Sequence, residues 1–189
     1  LTSAGLACFD ANGDGTADLL WTNRDTSTVT NKVYIHNGGP VFSATPNLIL
    51  KNPGMANFGN AIINAGDMNR DGYNDIAVGA YDANVTSGFV VIFGGGPKID
   101  GDFDAAVGMS SYSYFGYSIS SLGDINGDGL ADIIIGAPNY AFANEKGYWG
   151  IFLGDSLIKV TDIREETTAP IIFKLYQSYP NPFNPSTKL

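Results

Sequence analysis

Short apolar runs bounded by glycine alternate with polar segments along most of the chain, and no segment places its apolar residues at helical spacing. The clearest runs are residues 76–78 and 133–135, and each is followed by a glycine-flanked aromatic run, at residues 88–93 and 147–153. Runs of this length that are rich in β-branched and aromatic residues indicate buried strands. The pattern therefore predicts an all-β protein built from short strands.

Three acidic segments, residues 10–18, 67–75 and 124–132, interrupt this pattern at a fixed spacing. Each has aspartate or asparagine at positions 1, 3, 5 and 9 and glycine at position 6, and the segments begin 57 residues apart. A fixed period of this size is typical of arrays and propellers. The chain is therefore predicted to contain three copies of one structural unit.

The acidic segments have the composition of calcium-binding loops. Such loops wrap a hard cation with side-chain oxygens, a glycine at the sharp turn and the backbone carbonyl of position 7. The predicted ligands are Asp10, Asn12, Asp14, Thr16 and Asp18; Asp67, Asn69, Asp71, Tyr73 and Asp75; and Asp124, Asn126, Asp128, Leu130 and Asp132. We expect three calcium ions with a structural role, because this ligand set fills most of the shell and leaves little room for a substrate. An EF-hand is excluded, because its position 12 glutamate is replaced by Trp21, Val78 and Ile135.

Each copy has room for four strands, which is the composition of a β-propeller blade. The predicted fold is all-β: three four-stranded calcium-binding blades that form a partial propeller, followed by an extended proline-rich tail. The predicted boundaries are residues 1–54, 55–111 and 112–158 for the three repeats, 159–172 for a linker and 173–189 for the tail. Strands of the irregular first repeat are expected near residues 4–9, 17–21, 32–36 and 48–50, and the outer strands of the next two repeats near residues 105–109 and 157–162. Since four to eight blades close a propeller, we expect further blades upstream or in another chain.

Charge and apolar content limit the partners. The net charge is -9 at pH 7, and nine of the 19 acidic residues lie in the three loops. Three calcium ions would add six positive charges and leave about -3, so nucleic acid is not an expected partner. No apolar run reaches the roughly 18 residues of a membrane-spanning helix. We expect no signal peptide at the start of the chain and expect residue 1 to be a fragment boundary.

The sequence predicts no catalytic site. The single cysteine, Cys8, lies in an apolar run and is expected to be a small core residue. The single histidine, His36, lies in a strand-like run and is expected to pack or to face solvent. The only glutamates are Glu145, Glu165 and Glu166, and the last two lie in the predicted linker. The chain is therefore not expected to be an enzyme.

Residues 56–154 resemble FG-GAP repeats, the blades of integrin α-subunit propellers. Phe-Gly pairs at residues 58–59 and 115–116 precede the loops, and Gly-Ala pairs at residues 79–80 and 136–137 follow them. Residues 1–50 resemble looser, VCBS-like bacterial relatives, which keep the calcium loop and lose the glycine motifs. The resemblance implies a seven-bladed ring in the family, whereas this chain has material for three blades.

The resemblance also implies a ligand-binding face. In the propellers that this chain resembles, the loops between the second and third strands of a blade lie opposite the calcium loops and meet ligands. Here these loops span residues 81–87 and 139–146, so the candidate contacts for an extracellular protein or carbohydrate are Tyr81, Asn139, Tyr140 and Phe142. The alternative is that these aromatic side chains only cover the edge of the blade.

The proline-rich stretch at residues 175–187 is similar to the opening of the C-terminal sorting domain of bacterial type IX secretion cargo. This implies the type IX secretion machinery as a partner and a secreted or outer-surface location. That domain would continue well beyond Leu189, so we expect the fragment to be cut at this end too.

Two functions remain open. The first is a calcium-stabilised, non-catalytic propeller segment that serves adhesion or ligand binding. The alternative is an accessory propeller domain of a secreted hydrolase whose catalytic domain lies upstream. The upstream sequence would separate them.

Overall fold

The computed structural model of the chain describes residues 5–23, 31–55, 57–81, 87–110, 114–138, 148–155 and 173–174. Every regular element within these residues is a strand. The strands are β1 Leu6–Phe9, β2 Asp18–Asn23, β3 Lys32–His36, β4 Leu48–Leu50, β5 Phe58–Gly66, β6 Asp75–Tyr81, β7 Ser87–Phe93, β8 Ala105–Ser110, β9 Ser118–Gly123, β10 Asp132–Ala137, β11 Tyr148–Phe152 and β12 Phe173–Lys174. In this part of the chain no helix has the length and hydrophobicity needed to span a membrane. The all-β prediction is confirmed.

The strands form three antiparallel sheets, each with four strands in up-and-down order. The first sheet contains β1 to β4, the second β5 to β8 and the third β9 to β12. The first strands of neighbouring sheets contact one another, β1 with β5 and β5 with β9. This arrangement is consistent with the blades of a propeller, in which four-stranded sheets surround a central axis.

The second sheet is buried on both faces. On β6, the side chains of Ile76 and Val78 pack into a core shared with the first sheet, which includes Leu20. The side chain of Ala77 points the other way, into a core shared with the third sheet that includes Ile133. All five residues are 0% exposed. Burial on both faces explains why β6 is a continuous apolar run rather than an alternating one.

The Phe-Gly and Gly-Ala motifs meet where two sheets touch. A Cβ added to Gly79 would lie 2.2 Å from the carbonyl oxygen of Gly116, which has a φ of 83°. Glycine is needed at position 79 because a Cβ would collide there, and it is favoured at position 116 because of the positive φ. In the first repeat Thr22 stands at the position of Gly79, and its hydroxyl donates a hydrogen bond of 2.5 Å to the carbonyl oxygen of Gly59. A side-chain hydrogen bond thus replaces the close glycine contact in the irregular repeat.

The observed strands differ most from the predicted ones in the third sheet. Strands β3 and β4 have the predicted bounds, and β8 ends one residue beyond the prediction. The outer position beside β11 is taken by β12, in which Phe173 pairs with Phe152 and Lys174 with Ile151. The strand predicted near residues 157–162 lies outside the described residues. Residues 171–173 are Ile-Ile-Phe, a run with high strand preference. The predicted boundary between the linker and the tail, after residue 172, divides this run.

The prediction for Cys8 is wrong, because its side chain is exposed. Successive side chains of a strand point to opposite faces. Ala7 and Phe9 of β1 pack into the core with the second sheet, so Cys8 lies on the other face of the first sheet.

Of the two alternatives predicted for His36, packing or facing solvent, the structure shows packing. The side chain is 6% exposed. Its ring stacks between those of Trp21 and Phe42, with centroid distances of 6.3 and 5.5 Å. Its Nδ1 lies 2.9 Å from the carbonyl oxygen of Ser43. His36 therefore belongs to an aromatic stack on the face of the first sheet that points away from the second.

Candidate functional site

The acidic loops connect the first and second strands of each sheet and share one turn geometry. In the first loop the carboxylate of Asp10 accepts hydrogen bonds from the backbone N–H groups of Gly13, Asp14 and Gly15 at 2.7, 3.1 and 2.8 Å. The equivalent aspartates accept from Asp71 and Gly72 in the second loop, and from Gly127, Asp128 and Gly129 in the third. The chain thus wraps around the first carboxylate in each copy.

The residues at positions 3 and 5 are also held by local hydrogen bonds. The side-chain oxygen of Asn12 accepts from the N–H of Asp14 at 2.9 Å, and its Nδ2 donates to the Asp14 carboxylate at 3.1 Å. The same pairs of bonds recur between Asn69 and Asp71 and between Asn126 and Asp128. Each turn therefore brings two carboxylates and one amide oxygen together.

The aspartates at position 9 have a structural role that sequence reasoning missed. Asp18, Asp75 and Asp132 are all 0% exposed. Asp18 accepts from the N–H groups of Ala11 and Asn12 at 3.0 and 3.2 Å, and from that of Gly38 at 2.8 Å. In the other sheets the equivalent bonds come from Met68 and Gly95, and from Ile125 and Gly154. The carboxylate thus ties the loop to the segment that follows the third strand.

A sequence signal for this contact exists. Gly38, Gly95 and Gly154 follow their aspartates by 20, 20 and 22 residues. A Cβ on Gly95 would lie 1.9 Å from the carbonyl oxygen of Asn74. Glycine is therefore needed for the backbone to approach the loop.

Burial and charge crowding affect the loop carboxylates differently. Burial raises the pKa of Asp75 to about 7, the N–H groups of Gly95 and Met68 oppose this rise, and the charges of Asp71 and Asp67 add to it. The N–H groups around Asp124, led by that of Gly129, lower its pKa. Hydrogen bonds from Thr16 lower the pKa of Asp14. Hydrogen bonds thus favour the charged form of Asp14 and Asp124, whereas burial first and like charges second disfavour it at Asp75.

The donor set fits calcium by its chemistry. Each loop offers three carboxylates, one amide oxygen and one backbone carbonyl, which are the hard oxygen ligands that calcium prefers. Among the described residues the ion pair is between Lys51 and Asp102, at 2.7 Å, so no loop aspartate is held in an ion pair within this part of the chain. In that part of the chain no three His, Cys, Asp or Glu side chains are gathered in a metal-binding arrangement. Binding would therefore require the loop side chains to rearrange around the ion.

The other candidate site lies at the opposite end of the sheets. The ring of Tyr81, at the end of β6, lies 5.5 Å from the ring of Tyr114 and 5.1 Å from that of Tyr117. Tyr117 is 50% exposed. Sequence reasoning missed Tyr114 and Tyr117, although they flank the Phe115–Gly116 motif. The other predicted contacts, Asn139, Tyr140 and Phe142, lie outside the described residues.

Comparison with known proteins places these loops in a repeat family. A family described as the FG-GAP-like repeat matches residues 10–78, and the FG-GAP repeat matches residues 115–148. The chain contains FG-GAP repeats. The FG-GAP-like match begins at the first residue of the first acidic loop, and the FG-GAP match begins at the phenylalanine of a Phe-Gly pair.

The chain is similar to integrin α subunits over about 70% of its length. It is 34% identical to integrin alpha-4 of Xenopus laevis over 144 residues, which cover 71% of this chain and 14% of that protein. It is 37% identical to integrin alpha-IIb of Mus musculus over 150 residues, with coverage of 70% and 14%. It is 34% identical to integrin alpha-PS3 of Drosophila melanogaster over 149 residues, with coverage of 69% and 13%. The chain thus spans about one seventh of the length of these relatives.

Proposed function

We propose that the three FG-GAP repeats are calcium-stabilised blades of an extracellular ligand-binding propeller, with no catalysis of their own. The observation that carries the proposal is the threefold recurrence of one turn that gathers carboxylate and amide oxygens with no ion-pair partner among the described residues. An ion bound there would be held by the side chains of positions 1, 3, 5 and 9 and by the carbonyl of position 7. It would neutralise the loop and fasten the first two strands of each blade.

The affinity expected for such a site is compatible with the extracellular space. Extracellular calcium modules bind with dissociation constants of about 10⁻⁴ to 10⁻³ M, and weak sites of this kind are useful only where calcium is abundant. Isothermal titration with calcium should give three sites, and Asp128→Ala should leave two. A titration of Asp128→Ala that still fits three equal sites would contradict the ligand assignment.

We propose the tyrosine cluster as the ligand surface. Tyr81, Tyr114 and Tyr117 lie at the junction of the second and third sheets, at the end away from the acidic loops. Partly exposed tyrosines offer a large apolar area together with a hydroxyl, which suits stacking on a sugar ring or anchoring a protein partner. Asn139, Tyr140 and Phe142 remain predicted members of this surface.

Binding to a panel of immobilised oligosaccharides and extracellular matrix proteins tests this surface. Tyr117→Ala and Tyr81→Ala should each weaken binding at least tenfold, the loss typical of an interface hot spot. Phe103→Ala is the control, because Phe103 is 45% exposed and lies in the segment before β8, away from the cluster. Equal losses in the control and the tyrosine variants would count against the assignment.

We further propose secretion from a bacterium through the type IX system, supported by the motif at residues 175–187. The protein expressed from its full gene in a host with this system should be labelled by antibody on intact cells or recovered from the medium. Retention inside the outer membrane would exclude this route.

A further inference from the structure

The second acidic loop differs from the other two at position 4, where Arg70 stands in place of Gly13 and Gly127. Arg70 has a φ of 65°. Glycine adopts this backbone conformation freely, whereas residues with a Cβ adopt it at a cost in free energy. The side chain is exposed, so burial of its aliphatic part does not offset this cost. Its contacts instead lie on the neighbouring loop.

Arg70 reaches into the third acidic loop. Its Nη2 donates a hydrogen bond to the backbone carbonyl of Asp128. A Cβ built on Gly129 would lie 2.8 Å from the same nitrogen. Asp128 is a predicted ligand at position 5, and Gly129 is the turn glycine. A guanidinium, which stays charged at all physiological pH values, therefore lies against the turn that would hold the cation.

The first loop provides an uncharged reference. There the contact from the second loop is the ring of Tyr73, whose Cε1 would lie 2.3 Å from a Cβ built on Gly13. The second loop thus touches both neighbours, the first with an aromatic ring and the third with a full positive charge. The first and third loops otherwise share the residues of positions 1, 3, 4, 5, 6 and 9.

We propose that Arg70 is an affinity-determining residue that weakens calcium binding at the third loop relative to the first. This inference rests on the proposed calcium function. The guanidinium lies at the Asp128 carbonyl without an ion pair to the loop carboxylates, so an incoming divalent ion must bind beside this fixed positive charge. Exposed charge pairs interact weakly, but in the same field a divalent ion has twice the interaction energy of a monovalent one. We expect a difference of about threefold to tenfold, which added salt reduces.

Calcium titrations followed by ¹H–¹⁵N correlation spectra test the proposal at single loops. The amide of Gly129 reports on the third loop and that of Gly15 on the first. Arg70→Ala removes the charge, and Arg70→Lys keeps it at the same backbone conformation. Lys32→Ala is the matched control, because it removes one positive charge from the start of β3, at the opposite end of the first sheet.

In Arg70→Ala, the calcium affinity reported by the Gly129 amide should rise threefold to tenfold, and that reported by the Gly15 amide should stay within twofold of the wild-type value. Arg70→Lys should bind calcium like the wild type. Unchanged Gly129 affinity in Arg70→Ala, or an equal gain in Lys32→Ala, would overturn this inference alone. A wild-type chain in which neither amide responds to calcium would overturn the proposed calcium function and this inference with it.

Discussion

The aspartates at position 9 can be tested as structural anchors independently of any bound metal. Asp18→Ala removes a carboxylate that accepts three backbone N–H groups, of which that of Ala11 is buried. If Asp18 acted only as a metal ligand, its replacement would have no effect in a chelator and could even stabilise the chain by removing a buried charge. If it anchors the loop, the loss of stability should persist without metal.

The size of this loss follows from the contacts. Hydrogen bonds to a charged group contribute about 1.5 to 3 kcal/mol each, and a buried N–H left without a partner costs about 1 to 3 kcal/mol. The contributions are not additive, and relief of carboxylate burial offsets part of the loss. We expect a net loss of about 3 kcal/mol, which for a domain of this size lowers the melting temperature by about 6 to 12 °C.

The assay is urea unfolding, followed by circular dichroism, of wild type and Asp18→Ala in excess EGTA. Asp102→Ala is the control, because this carboxylate pairs with Lys51 while the two side chains are 41% and 64% exposed. Such exposed pairs contribute about 0 to 1 kcal/mol. A loss in Asp18→Ala below about 0.5 kcal/mol in EGTA would refute the anchoring role.

Three further predictions concern packing and exposure. Leu20→Ala, at a side chain that is 0% exposed, should cost about 2 to 5 kcal/mol in urea unfolding. Leu6→Ala, at a side chain that is 69% exposed, should cost less than about 0.5 kcal/mol. Similar losses of stability in Leu6→Ala and Leu20→Ala would contradict the described core. Gly79→Ala should lower the melting temperature, because the added Cβ would lie 2.2 Å from the Gly116 oxygen; an unchanged melting curve would show that this contact is loose. Cys8 should react with a thiol reagent in the folded protein at nearly the rate of a free thiol, and a requirement for denaturant would place it in the core.

The features that the sequence predicted well are local or repeated. The period of 57 residues located the three units, and the β-branched run at residues 76–78 identified β6 because no helix-forming pattern competed with it. Strand β3 has its predicted bounds because a polar residue precedes its alternating apolar side chains. Pattern and strand preference act within a few residues, so one chain suffices to see them.

The features that the sequence did not predict depend on distant partners. The pairing of Asp18 with Gly38 spans 20 residues and the contact of Arg70 with Asp128 spans 58. Neither appears in a local pattern. Cys8 was misplaced because an apolar run of four residues does not reveal which face of the strand is covered. Strand β12 pairs with β11 across an interval of about 20 residues, and its two residues have no turn signal linking them to that edge.

Thermal melting with and without calcium tests most directly the claim that the acidic loops are calcium sites that stabilise the blades. With dissociation constants of about 10⁻⁴ to 10⁻³ M, calcium at about 10 mM should add roughly 1.4 to 2.7 kcal/mol for each occupied site, by mass action. Three occupied sites should add roughly 4 to 8 kcal/mol, so the melting temperature in calcium should exceed that in EGTA by about 8 °C or more, and magnesium at equal ionic strength should have a smaller effect. Superimposable melting curves in calcium and EGTA would contradict the claim.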